Sequence, residues 1–128
     1  MSAGNLIDGR AIAEEIHKNT TQRVTTLKSR GVEPRLDFIR VGEDPASRDY
    51  VGRKEKSCAR AGISSQTHVL SQTASEAALL DLILRLNADP KVHGILVQAP
   101  LPRHISETKV YSSVAPEKDV DGFHPLNV

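Results

Sequence analysis

Tyr50 and Lys54 stand four residues apart in "DYVGRK", a spacing that puts two side chains on one face of a helix. An amine beside a phenol there could serve as a general acid or base. A surface lysine laying its stem along a tyrosine would show the same spacing. Gln98 closes the apolar run "GILVQ", just before Ala99 and Pro100. A buried amide at that place needs partners, either backbone groups or the polar edge of a ligand. Asp119 and Asp121 flank Val120 in "EKDVDG". A carboxylate held in a turn can accept two parallel N–H groups from a planar heterocycle, as it does from arginine, or it can simply cap the turn.

Other chemistries lack their residues. The five histidines, His17, His68, His93, His104 and His124, are scattered without metal-ligand spacing, so no metal is expected. "VGEDPAS" has the pattern of neither a Walker loop nor a dinucleotide fingerprint, and no nucleotide cofactor is assigned to this chain. A formal net charge of +1 without a basic stripe, and only two Tyr, two Phe and no Trp, argue against nucleic acid as a partner. No apolar run is long enough to span a membrane. The single cysteine, Cys58, cannot form an internal disulfide and reads as a packing residue, which fits a reducing, cytoplasmic location.

These residues need elements to hold them, and the 128-residue chain is long enough for a single core. Ile12, Ile16, Val24 and Leu27 recur at near-helical spacing, so a helix is expected from about Asp8 to Ser29, stopped by Gly31 and Pro34. "RLDFIRVG" reads as a strand covered on both faces. A second helix follows, with Tyr50, Lys54, Cys58 and Ala61 on one face and Gly62 at its end. "SSQTHVL" is a weaker strand. Thr73 and Glu76 have capping-box spacing ahead of a third helix whose core face is Leu79, Leu80, Ile83 and Leu86. "HGILVQ" is the clearest buried strand, "PLPRHI" is a loop because prolines cannot join a sheet ladder, and a short helix is expected around Ser106 to Ser113. Helix and strand alternate throughout. The expected class is therefore α/β, a three-layer domain with a mostly parallel sheet flanked by helices, with ligands beyond the carboxyl ends of the strands.

Three stretches, "VGEDPASRDYVGRKEKSCARAGI", "GILVQAPLP" and "PEKDVDGFHPLNV", resemble in order and spacing the signature segments of the bifunctional methylenetetrahydrofolate dehydrogenase/cyclohydrolase family. The likeness runs from about Leu6 to Val128. It implies an amino-acid-dehydrogenase-like N-terminal catalytic domain over residues 1–120. Residues 121–128 would begin an interdomain hinge leading to a Rossmann domain that binds NADP and is absent from this chain. The dense turn residues of the tail would then be an active-site wall.

By the same resemblance Lys54 matches the proton-transfer lysine of the cyclohydrolase step. Tyr50 matches the tyrosine beside the pterin, and Gln98 the glutamine that sets the lysine's state. Asp121 matches the aspartate that grips the pterin's amino edge, while Ser47, Pro100 and Gly122 match pocket-lining positions. The implied parent is a cytoplasmic homodimer of one-carbon metabolism, feeding purine biosynthesis. It would oxidise methylenetetrahydrofolate with NADP and hydrolyse the methenyl product to formyltetrahydrofolate. The family usually reads VQLPLP, and Ala99 in place of that leucine is expected to enlarge the pocket, at a cost of roughly 2 to 5 kcal/mol if the position is fully buried. Two other readings are the substrate domain of another two-domain dehydrogenase, such as the shikimate or amino acid dehydrogenases, and a non-catalytic folate-binding module.

Overall fold

The computed structural model describes residues 8–127; Leu6, Ile7 and Val128, the ends of the expected likeness and hinge, lie outside them. Helix α1 (Gly9–Ser29), strand β1 (Arg35–Val41), helix α2 (Pro45–Ala61), strand β2 (Ser64–Leu70), helix α3 (Glu76–Ala88), strand β3 (Gly94–Val97) and helix α4 (Glu107–Ser113) follow in the expected alternation. Two short 3-10 turns, Pro116–Lys118 and Pro125–Asn127, shape the tail. The strands are ordered β2–β1–β3 and all pair in parallel, with Phe38 opposite Thr67 on one side and Leu96 on the other.

Residue parity along β1 divides the core, because successive strand side chains point to opposite faces. Phe38 and Leu96 pack with Val51 and Cys58 of α2. Ile39, Val41, Ile95 and Val97 pack with Leu79, Leu82, Ile83 and Leu86 of α3 and with Val110 of α4. Helix α1 rests on α2, completing the outer layer. The result is helices, sheet, helices.

Local signals explain the ends of the elements. Asp8 accepts from Arg10 N and Ala11 N to start α1, and Asp44 accepts from Ala46 N to start α2 with Pro45 in its first turn. Gly62 ends α2 in the left-handed region at φ 85°. Three expectations need correction. The cap of α3 is Ser75, whose Oγ accepts from Ala78 N at 3.0 Å. Thr73 instead shares a hydrogen bond with Ser71, and Glu76 accepts from Ser106 N at 2.8 Å, so one local and one tertiary contact replace the expected capping box. On α1 only Val24 is buried, while Ile12, Ile16 and Leu27 are exposed among the described residues. Their spacing marks a helix, but α1 meets the rest of the domain along a narrow line against α2. On α3 the buried face includes Leu82, with Leu80 only partly covered.

One device ties the tail to the body. The Lys118 ammonium donates to Leu86 O, Asn87 O and Asp89 O at 3.0, 2.8 and 2.9 Å, directing its three N–H groups to carbonyls at the end of α3. Asp119 then forms a parallel bridge with Ile95, which lays the next residues beside β3.

Candidate active site

The carboxyl ends of β1 and β3 and the first three turns of α2 converge on one place. Gln98 is held there by its backbone, whose N–H donates to Ile39 O at 2.9 Å. Its side chain does two things: Oε1 accepts from Lys54 Nζ at 3.0 Å, and Nε2 donates to Ala99 O at 3.1 Å. Ser47, buried at 3% exposure, donates its Oγ hydrogen to the same Ala99 carbonyl at 3.3 Å. Strand end and helix are thus cross-linked through Lys54, Gln98 and Ser47. Tyr50 is half-exposed one turn before Lys54, at the rim. The Ala99–Pro100 peptide is cis.

The two tail aspartates have different fates. Asp119 Oδ2 accepts from His124 N at 2.8 Å and from Asn127 Nδ2 at 3.1 Å. Burial opposes its charge, but these bonds, with the Phe123 and Gly122 amides, hold the carboxyl below its ordinary value. It is a turn cap. Asp121 makes no hydrogen bond to any described residue. Burial pushes its carboxyl upward, the Lys54 charge pulls the other way, and Asp119 adds to the rise. A half-buried acceptor facing a cation, with its lone pairs unused by the protein, is equipped to bind a ligand's N–H groups. Gly122 takes φ 71°, which a side chain would disfavour, and lets the chain turn directly after Asp121.

Sequence reasoning missed Lys118, whose role depends on a helix end thirty residues away, and Tyr111. The Tyr111 ring meets Phe123 edge-on, with centroids 5.1 Å apart. Its hydroxyl is buried without a hydrogen-bond partner. Burial first, then Glu107 and Asp121, push it up to about 12. With Ala99, Glu107 and Phe123 it lines a groove beside the Gln98 strand end; its only sequence signal is that it is one of two tyrosines. Ala99 itself is exposed, so the condition for a cavity cost is not met, and the small residue widens a surface groove.

Metal and phosphate groups find no cradle here. Among the described residues no cluster of three or more His, Cys, Asp or Glu side chains comes together. The N-terminus of α2, where a dinucleotide-binding turn would receive a pyrophosphate, is already capped by the Asp44 carboxylate, with Glu43 beside it. The Asp44 side chain thus already takes the Ala46 amide there, and Glu43 is matched by Arg40 and Arg48. Cys58 is buried, and burial, then Glu55, raise its thiol, leaving it a packing residue. No described helix is long and apolar enough to cross a membrane.

Residues 7–121 match the family model described as tetrahydrofolate dehydrogenase/cyclohydrolase, catalytic domain. Among curated proteins, the bifunctional protein FolD of Anaeromyxobacter dehalogenans is 52% identical over 97% of this chain and 44% of its own length. That of Geotalea uraniireducens is 54% identical over 96% and 44%. Among solved structures, the bifunctional methylenetetrahydrofolate dehydrogenase/cyclohydrolase of Campylobacter jejuni superposes with a TM-score of 0.92 at 45% identity, over 94% of this chain and 43% of that one. The Trypanosoma brucei enzyme, solved with NADP cofactor and inhibitor, gives 0.88 at 37%, over 94% and 41%. The chain therefore spans less than half the length of the relatives it matches. Matched across most of its length by sequence and by fold, it belongs to the tetrahydrofolate dehydrogenase/cyclohydrolase catalytic-domain family.

Proposed function

We propose that this chain is the folate-binding catalytic domain, residues 1–120 with a hinge beginning at 121–128, of an enzyme that oxidises methylenetetrahydrofolate and hydrolyses the methenyl product. The observation that carries this is the Lys54–Gln98 hydrogen bond at 3.0 Å, with Asp121 close enough to feel the lysine's charge.

In the hydrolytic step, water adds to the amidinium carbon, its oxygen gives up both protons as it becomes the formyl oxygen, the C–N bond breaks, and the departing nitrogen takes one proton while the other is released to solvent. Lys54 is the group placed to carry those protons, and the Gln98 carbonyl oxygen holds its Nζ in one direction. Asp121 accepts the N–H edge of the pterin, fixing the reacting carbon relative to Lys54. Tyr50 lays its ring beside the substrate at the rim. Ser47 fixes the Ala99 carbonyl, and Pro100 and Gly122 shape the walls through their backbones. NADP, which the Trypanosoma brucei relative holds, would supply hydride acceptance from a second domain, as the family resemblance implies. A cytoplasmic homodimer is our reading of the parent, supported by the family resemblance.

Calorimetric titration of this chain with a reduced folate, alongside Asp121→Ala, tests the reading. Saturable binding weakened by the substitution supports it. Binding that ignores the substitution would remove Asp121 from the pterin pocket.

A further inference from the structure

Arg40 interrupts an apolar strand. Its neighbours Phe38, Ile39 and Val41 are buried, and Arg40 is itself only 8% exposed. A buried guanidinium is usually no more stabilising than an apolar side chain of similar volume, so its contacts must serve another end. Its Nη1 donates to Gly42 O at 2.7 Å and lies 3.6 Å from the Glu43 carboxylate, which is in turn 3.8 Å from Arg48 Nη1. This chain of contacts runs from the end of β1, through the loop, into the first turn of α2. Gly42 is fixed from other sides as well. It sits at φ 86°, its N–H donates to Leu70 O at 2.8 Å, and the Gln72 side chain fills the space a Cβ would need.

The helix launched by this loop carries Ser47 and Lys54, the two residues that reach Ala99 and Gln98. Displacement of its first turn would carry both side chains with it. We propose that Arg40 is a positioning residue for this site, setting the Gly42–Asp44 loop and through it the placement of Lys54 against Gln98. The functional readout rests on the folate reading, while the structural one does not.

Arg40→Leu, Arg40→Lys and Glu43→Gln in this chain test the idea, with three readouts: denaturant stability, NMR of the Gln98 side-chain amide with amide exchange over residues 42–48, and reduced-folate titration. For Arg40→Leu the expected result is stability equal to or above the parent, faster exchange in the loop, a shifted Gln98 amide and folate affinity lower by roughly tenfold or more. Arg40→Lys, which restores the charge without the rigid fork, should recover part of each change. Unaltered Gln98 resonances and loop exchange in Arg40→Leu would overturn the proposal, as would unaltered folate affinity where the parent binds. A parent chain that binds no folate, with Gln98 still disturbed by the substitution, would leave the positioning role standing, and the same titration on a two-domain protein carrying this chain would then decide the folate reading. Should Arg40→Leu not fold, Arg40→Lys and Glu43→Gln carry the same test, and parental loop exchange in both would overturn the proposal.

Discussion

Lys54 and Gln98, separated by 44 positions in the chain, meet at 3.0 Å across the gap between α2 and the end of β3. In a two-domain protein carrying this chain, Lys54→Ala should lower methenyltetrahydrofolate hydrolysis by about 100- to 10,000-fold, the usual worth of a positioned acid or base. Decay of the methenyl chromophore measures it. Hydrolysis at the parental rate would exclude Lys54 from the proton transfers.

Asp121 couples stability to binding with opposite signs. Burial raises its carboxyl, Lys54 opposing and Asp119 reinforcing. A raised folded-state value means that its stabilising contribution is complete below the unfolded value of 3.8 and is lost as pH rises through the folded value. At neutral pH its ionisation therefore weakens the fold. Asp121→Asn should raise the melting temperature at pH 7 while reducing folate affinity by about 1.5–3 kcal/mol, the scale of hydrogen bonds to a charged group. Paired thermal and calorimetric measurements decide it, and a variant that is both less stable and tighter-binding would contradict the account.

Asp37 behaves in the opposite way. It is fully buried and accepts from Arg35 Nε at 2.8 Å, Arg35 Nη2 at 3.0 Å and His68 Nε2 at 2.8 Å. Burial resists its charge, but the Arg35 bonds and then the His68 bond hold the carboxyl below its ordinary 3.8. Its stabilising contribution is therefore present above pH 3.8 and lost as pH falls through the lower folded value. Asp37→Ala leaves the Arg35 guanidinium without its carboxylate and His68 Nε2 without its partner, and should cost about 3–5 kcal/mol at pH 7. Denaturation across the acid range should also show a shallower loss of stability in Asp37→Asn than in the parent.

Gly94 leaves room for the tail. A Cβ there would lie 2.8 Å from Val120 Cγ1 and 3.0 Å from Leu36 Cδ1. Gly94→Ala should therefore cost about 1–3 kcal/mol of stability and weaken folate binding by displacing Val120 next to Asp121. Loss of stability with unchanged binding would mean that Leu36 alone yields.

Much of the architecture was legible in residue order because it follows from local physics. Alternating helical and strand periods and the Gly62 stop of α2 need no distant partner. The failures were mostly non-local. Ser75 caps α3 while Thr73 bonds its near neighbour Ser71 and Glu76 is drawn across to Ser106, and Ile12 and Ile16 sit on a helix whose contact line is narrow.

The site divides the same way. Residue types and spacing alone decided that Tyr50 and Lys54 share a helical face, that Gln98 ends a buried strand, and that two carboxylates stand in the tail. Tertiary structure decided which of them meet. It joined Lys54 to Gln98, made Asp119 a turn cap and left Asp121 open, because such choices depend on where the Lys118 anchor and the Ile95 bridge lay the tail. No local spacing encodes the distance between segments brought together only by folding.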